Sequence, residues 1–200
     1  MEAGEPTYTC GTVTRSVWYA FTPTETMSVT ARMSLSYSSI LTVFTGSSLA
    51  DLNQVGCRSY YYDPFTFRTT AGQTYYLQLG NLYADGGLVR LSLDVAPPVQ
   101  AGFSFWPSDP SIYEPVSFYD SSYDPGGSPI VTREWQFGDG TTGTGCCPTH
   151  QYVADGDNTV RLTVTTSDGR TGSASRVVQV RTHDVACTRA SRAASCWSGR

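Results

Sequence analysis

The sequence predicts an all-β protein built as two tandem antiparallel β-sandwiches. Three observations carry this reading. Short apolar runs alternate with period 2 along most of the 200 residues. Turn-formers interrupt them every few positions, since the chain holds 19 glycines and 11 prolines. Thirteen tyrosines and 8 phenylalanines add aromatic residues that favour strands. No segment of useful length has the 3.6-residue period of an amphipathic helix, and residues 48–53 have the length of one helical turn.

The elements follow in order. Residues 16–22 (SVWYAFT) place Val17, Tyr19 and Phe21 on one face. Residues 27–33 alternate through Val29, Ala31 and Met33, and residues 40–45 form a short apolar strand stopped by Gly46. Residues 65–70 and 74–79 alternate through Phe65 and Phe67, then through Tyr75, Leu77 and Leu79. Residues 88–95 place Val89, Leu91, Leu93 and Val95 together. Asp63-Pro64, Ala71-Gly72 and Asp85-Gly86-Gly87 supply turns between these runs. Pro97-Pro98 cannot continue a ladder, so residues 97–101 read as a stiff linker between a domain at 1–96 and a second at 102–181. The second series runs through Phe103 and Phe105, Val116 and Phe118, then residues 132–137 (TREWQF), 159–165 (TVRLTVT) and 173–180 (SASRVVQV). About seven short strands in some 80 residues suit a sandwich. Residues 182–200 lack strand period and helix caps and are expected to be a disordered tail.

Charge narrows the function classes. The net charge is −4, which argues against capture of nucleic acid, a task that needs a basic face. All thirteen positive residues are arginine. No apolar run approaches the roughly 18 residues that span a bilayer, and Met1 opens no charged-then-apolar leader. Six cysteines, at 10, 57, 146, 147, 187 and 196, are an even number in a glycine-rich all-β chain, which points to an oxidising compartment. Cys10 and Cys57 lie in one expected domain and are the first choice for a bridge. Cys146 and Cys147 are sequence neighbours, which a mutual bridge would strain, so one pairs elsewhere or stays free.

The second domain resembles the PKD family of immunoglobulin-like modules. The carriers are Trp135-Gln136-Phe137-Gly138-Asp139-Gly140, His150-Gln151-Tyr152, residues 158–165 and Asp168-Gly169. The chain departs from the family at Gln136, where Asp is usual. The resemblance implies that Trp135 fills the core, that Gly138-Asp139-Gly140 turns tightly, and that Tyr152 sits where a tyrosine corner bonds back to the backbone. The first domain is similar to the pre-peptidase C-terminal type of β-sandwich, jelly-roll-like in outline and found beside catalytic domains of secreted bacterial enzymes. Its carriers are Gly4-Glu5-Pro6, Cys10-Gly11, residues 16–22, 43–48 and 71–79. Some relatives bind calcium through acidic loops, but after Cys57 this chain reads Arg58-Ser59-Tyr60-Tyr61-Tyr62-Asp63 rather than an Asn-Asp-Asp sequence.

Candidate sites are few. Tyr60, Tyr61 and Tyr62 with Phe65 form an aromatic patch, in which at least one ring must face solvent or a partner. Asp120 and Asp124 supply clustered oxygens that a calcium ion would need; no other cofactor is indicated. Cys147-Pro148-Thr149-His150 lacks the four ligands of a zinc site, and no positioned base or oxyanion site marks a cysteine nucleophile. No phosphate loop, dinucleotide fingerprint, nucleophile elbow or zinc-protease motif appears. The expectation is a non-catalytic pair of modules from a secreted or cell-surface bacterial protein, its signal peptide not in this chain. The pair binds an extracellular polysaccharide or protein in adhesion or substrate presentation, acts as a spacer or stalk, or serves as an accessory calcium-binding region of a secreted protease or glycosidase. The change of character after residue 186 and the abrupt Met1-Glu2-Ala3 start suggest part of a larger multidomain chain.

Overall fold

A computed structural model of the chain describes residues 10–11, 13, 15–34, 39–48, 51–59, 64–81 and 90–182. Fourteen strands and no helix occur among them, in four sheets, so the fold is all-β as predicted. Two compact units are interleaved in sequence. The first comprises Met1–Gln100, Tyr123–Val131 and Thr165–Gly172; the second comprises Ala101–Ser122, Thr132–Val164 and Ser173–Arg200. The tail beyond Thr182 lies outside the described residues.

The first unit contains β1 (Arg15–Phe21), β2 (Ser28–Ser34), β3 (Ser39–Thr45), β4 (Asn53–Ser59), β5 (Phe65–Arg68), β6 (Tyr75–Asn81) and β7 (Arg90–Val95). One sheet has the order β1-β6-β3-β4 and the other β5-β2-β7. Val29, Ala31 and Phe67 of one sheet pack with Leu41, Val43, Leu77 and Leu79 of the other, whereas Val17, Tyr19 and Val95, grouped with apolar neighbours by alternation, are exposed because their strands turn that face outward. β3 is buried on both faces, because Thr42 and Phe44 on its second face are covered as well. Part of that cover is Val13, whose side chain would lie 2.3 Å from any Cβ placed on Gly80. A side chain at position 80 would therefore displace the segment from the sheet. The Cys10–Cys57 disulfide, with Cα atoms 6.2 Å apart, fastens the same segment to β4. Closing a loop of this length contributes about 4 kcal/mol in the chain-entropy model.

β4 was not legible as a strand. Its sequence NQVGCRS has no apolar alternation, and it is extended because it pairs with β3, with Cys57 opposite Thr42. Around residues 48–53, where one helical turn was expected, the described residues show an Asp51 N–H donated to Ser48 O at 3.1 Å, and strand β4 begins at Asn53. The Pro97-Pro98 stretch carries no ladder, as proline requires. Beyond it, Gln100 and Tyr123 exchange two backbone hydrogen bonds, and Val99 is buried.

The remaining strands are β8 (Phe103–Trp106), β9 (Val116–Asp120), β10 (Ile130–Gln136), β11 (Thr142–Thr144), β12 (Thr149–His150), β13 (Gly156–Thr166) and β14 (Thr171–Val180). They form sheets β12-β9-β8 and β11-β10-β13-β14. Trp135 of β10, 1% exposed, sits at the centre of the second unit. Its ring meets Phe103 edge-on at 5.1 Å and Phe118 at 5.5 Å between centroids, and Phe118 meets Phe137 at 5.3 Å. The indole Nε1–H donates to Gly145 O at 2.9 Å, so this buried ring leaves no polar atom unpaired.

The turn after β10 is built as the PKD resemblance implies. Gly138 has φ +92°, and a Cβ there would lie 2.7 Å from the Thr159 amide nitrogen, so only glycine fits. Asp139 accepts hydrogen bonds from Thr141 N–H at 3.0 Å and Thr141 Oγ1 at 2.6 Å, and its Oδ2 lies 2.7 Å from His150 Nε2. The His150 ring stacks on Phe137 at 4.2 Å and meets Tyr152 edge-on at 4.6 Å. The Tyr152 hydroxyl donates to Phe137 O at 2.9 Å, as a tyrosine corner would. Burial, with the Asp139 carboxylate nearby, raises the Tyr152 phenol well above its ordinary range and keeps it a donor.

Trp135→Ala is expected to destabilise the protein by roughly 3–5 kcal/mol, measured by urea denaturation followed through tyrosine fluorescence. A second expectation concerns acid. Partial burial pushes the Asp139 carboxyl up, but the hydrogen bonds from Thr141 and His150 outweigh it and bring it down to about 2. A carboxyl depressed in the folded state stabilises fully above its unfolded value near 4, and that stabilisation drains as the pH falls through about 2. The melting temperature of Asp139→Asn should therefore lie below wild type at neutral pH, and the gap should close on acidification over that window.

Candidate functional site

The strongest surface feature of the second unit follows from strand alternation. In sheet β12-β9-β8 the core takes Phe103, Val116 and Phe118, each no more than 1% exposed. Their neighbours Ser104, Trp106, Ser117, Tyr119 and Thr149 must then point the other way. The register pairs Ser104 with Tyr119, Trp106 with Ser117, and Ser117 with Thr149. Trp106 and Tyr119 are thus diagonal neighbours on one outward face, a spacing within reach of two aromatic rings. Trp106 is 66% exposed and Tyr119 47% exposed. Their neighbours on this face in the register are the uncharged Ser104, Ser117, Thr149 and Cys147. The outward positions of the opposite sheet include Glu134, Gln136, Arg161 and Ser175, with the exposed Val177. Flat rings flanked by hydroxyls can stack on the C–H face of a sugar or a proline and hydrogen-bond beside it.

Neither residue was picked out from the sequence. The signal was present in FSFW, where alternation sends Trp106 away from the face that Phe103 occupies. The aromatic patch expected at Tyr60, Tyr61 and Tyr62 lies outside the described residues.

The calcium expectation does not fit the geometry. Asp120 and Asp124 do not share a site, because each is held by its own arginine. Arg133 Nε–H donates to Asp120 Oδ2 at 2.5 Å, and Ser122 N–H donates to Oδ1 at 2.8 Å. Burial raises the Asp120 carboxyl, but the bonds from Ser122 and Arg133 win and hold it below its ordinary value. Asp124 accepts Arg170 Nη1 at 2.9 Å and Nη2 at 2.6 Å, together with the amides of Gly126 and Ser128 at 3.1 and 2.8 Å. The same guanidinium donates from Nε to Asp168 Oδ2 at 2.7 Å and from Nη1 to Pro97 O. Asp168 is likewise driven below the carboxylate range, burial being outweighed by Arg170, Ser28, Thr166 and Ser128. A metal ion would have to displace these donors. Among the described residues no group of three or more His, Cys, Asp or Glu could hold one.

Arg170 therefore serves two carboxylates whose side chains are 0% and 4% exposed. Arg170→Ala leaves both buried and unpaired, and is expected to cost about 3–5 kcal/mol of stability in urea denaturation.

The vicinal cysteines sit beside the aromatic face. Phe118 N–H donates to Pro148 O at 2.9 Å and Asp120 N–H to Cys146 O at 3.1 Å, continuing the β12–β9 ladder backwards. That ladder sets Cys147 across from Tyr119. Both Cys146 and Cys147 are exposed free thiols. The hydrogen bond with Cys146, ahead of burial and the nearby charge of Asp120, raises the Cys147 thiol.

Comparison with known proteins agrees with the second-domain geometry. Residues 96–181 match the family model of the PKD domain. Sixty-one residues, 30% of this chain, are 46% identical to a microbial collagenase of Vibrio alginolyticus, of which they cover 7%. A collagenase ColA of Bacillus cereus is 37% identical over 59 residues, 30% of this chain and 6% of the relative. The chain thus spans less than a tenth of the length of these curated relatives. The PKD1 domain of the Vibrio cholerae metalloprotease PrtV aligns over 43% of this chain and 100% of its own, with 29% identity and a TM-score of 0.39. Residues 96–181, which hold the Trp135–Gly140 turn, His150 and Tyr152, are a PKD domain.

Proposed function

We propose that this chain is a non-catalytic binding region of a larger secreted bacterial hydrolase, and that its neutral aromatic sheet face engages an insoluble extracellular polymer. The observation that carries the reading is the placement of Trp106 and Tyr119 as exposed diagonal neighbours, 66% and 47% exposed, with uncharged neighbours in the register. Two aromatic rings left in water are unfavourable unless something covers them part of the time. The sequence identity to collagenases supports a protein polymer as ligand. The paired, arginine-neutralised carboxylates support a non-catalytic role, because none of them stands poised as a free acid or base. Residues 1–96 keep the reading of an accessory β-sandwich of the pre-peptidase C-terminal type, supported by the packed strands β1–β7 and the Cys10–Cys57 bridge.

The test is retention of the purified chain on insoluble collagen, with cellulose and chitin in parallel. Binding to collagen is expected, with Trp106→Ala and Tyr119→Ala each weakening it about tenfold, equivalent to roughly 1.4 kcal/mol. Both positions are exposed, so melting temperatures should not move. Retention on cellulose or chitin alone would shift the ligand class to polysaccharide. Retention on none of the three would leave the spacer reading in its place.

A further inference from the structure

Cys146 and Cys147 are used by nothing in the fold or in the proposed function. They are presented from a fastened backbone rather than a loose loop. Gly145 O accepts the Trp135 indole N–H at 2.9 Å, Gly145 N–H donates to Arg133 O at 3.3 Å, and Cys146 O and Pro148 O accept from strand β9. Both thiols are free and open to solvent. The same chain carries a disulfide at Cys10–Cys57, so oxidising conditions suit it.

Two adjacent thiols in such a setting invite closure on each other, and here geometry opposes it. Consecutive Cα atoms across a trans peptide are about 3.8 Å apart, whereas disulfides hold their Cα atoms roughly 4.4–6.8 Å apart. The Cys146-Cys147 peptide is not cis, and a cis bond would bring the atoms closer still. In thiol pairs separated by two residues, the second thiol expels whatever the first has captured. At Cys146-Cys147 the second thiol cannot do so without straining a backbone that β9 and Trp135 hold in place.

We propose that the Cys146-Cys147 turn is a disulfide-capture site, at which one sulfur exchanges with an external disulfide and keeps the acquired group as a lasting mixed disulfide. The step balances. The protein thiol, ionised only to the extent that a raised Cys147 permits, attacks as a thiolate one sulfur of the external disulfide, whose S–S bond breaks as the new S–S bond forms. The other sulfur leaves as a thiolate and takes up the proton that the protein thiol released. The external disulfide is reduced and the protein cysteine is oxidised, so no other oxidant is needed. The sulfur captured is a cysteine sulfur already held in a disulfide: a low-mass disulfide, a Cys187–Cys196 bridge, or a disulfide of a second copy of the chain. The group held at Cys147 would stand next to Tyr119, at the border of the aromatic face.

The experiment uses the full chain, reduced at its exposed thiols and then incubated with oxidised glutathione. Intact mass and peptide mapping are expected to show a glutathione adduct on Cys146 or Cys147 that persists for hours after free glutathione disulfide is removed. Cys146→Ser/Cys147→Ser should take up none there, with an unchanged melting temperature. Absence of an adduct, or its rapid loss with formation of a Cys146–Cys147 ring, would overturn the proposal. Non-reducing electrophoresis of the untreated chain, with and without Cys187→Ser/Cys196→Ser, identifies the natural source. A bridge within one chain that disappears in the variant assigns the chain's own cysteines, and a covalent dimer that survives it assigns a second copy.

Discussion

The environment of Trp135 governs the second unit. Its ring fills the space between two sheets, against Phe103 and Phe118, and its indole N–H reaches Gly145 O. The first contact settles which face of β8 and β9 is inside. Because side chains alternate, that choice also settles which face is outside, and so exposes Trp106 and Tyr119. The second contact fastens the 145–148 segment, which pairs with β9 and presents the two thiols. A single buried aromatic thereby positions a surface it does not touch. The same coupling explains why a PKD core and an aromatic outer face go together here: the exposed aromatics are the alternate partners of the core residues.

Five carboxylates among the described residues are held by local ion pairs. Asp120 belongs to Arg133, Asp124 and Asp168 share Arg170, Asp139 pairs with His150, and Asp157 with Arg181 at 2.5 Å. Three of these carboxylates also cap backbone amides of their own turns. A carboxylate that accepts backbone N–H groups and an arginine fork has spent its lone pairs, and its depressed protonation follows from those bonds despite burial. Acidic side chains that resemble cation ligands in the sequence are consequently turn locks in the fold.

Much of the fold was legible because it rests on period-2 alternation and on residues whose chemistry leaves few choices. Val29, Leu77, Phe118, Val160 and Leu162 are buried where alternation put them. Gly138 was readable as a turn because a positive φ needs glycine, and Tyr152 as a corner residue because its hydroxyl must find a partner when buried. β4 was not readable, since NQVGCRS is extended only through its pairing with β3. Asp120 and Asp124 were misread together because they are close in sequence, while their arginines lie 13 and 46 residues away.

The sequence by itself determined the all-β class, the buried faces of the strands through Val29, Leu77, Phe118 and Val160, and the Trp135–Gly140 turn with His150 and Tyr152. Each of these depends on local period, on backbone conformation, or on a motif carried within a short span. Only the tertiary structure decided that Trp106 and Tyr119 share an outward face, that arginines occupy the acidic turns, and that Cys147 stands across from Tyr119. Those facts depend on strand register and on contacts between residues far apart in the chain. A sequence can state which side of a strand a residue occupies; its neighbour on that side is chosen by the partner strand.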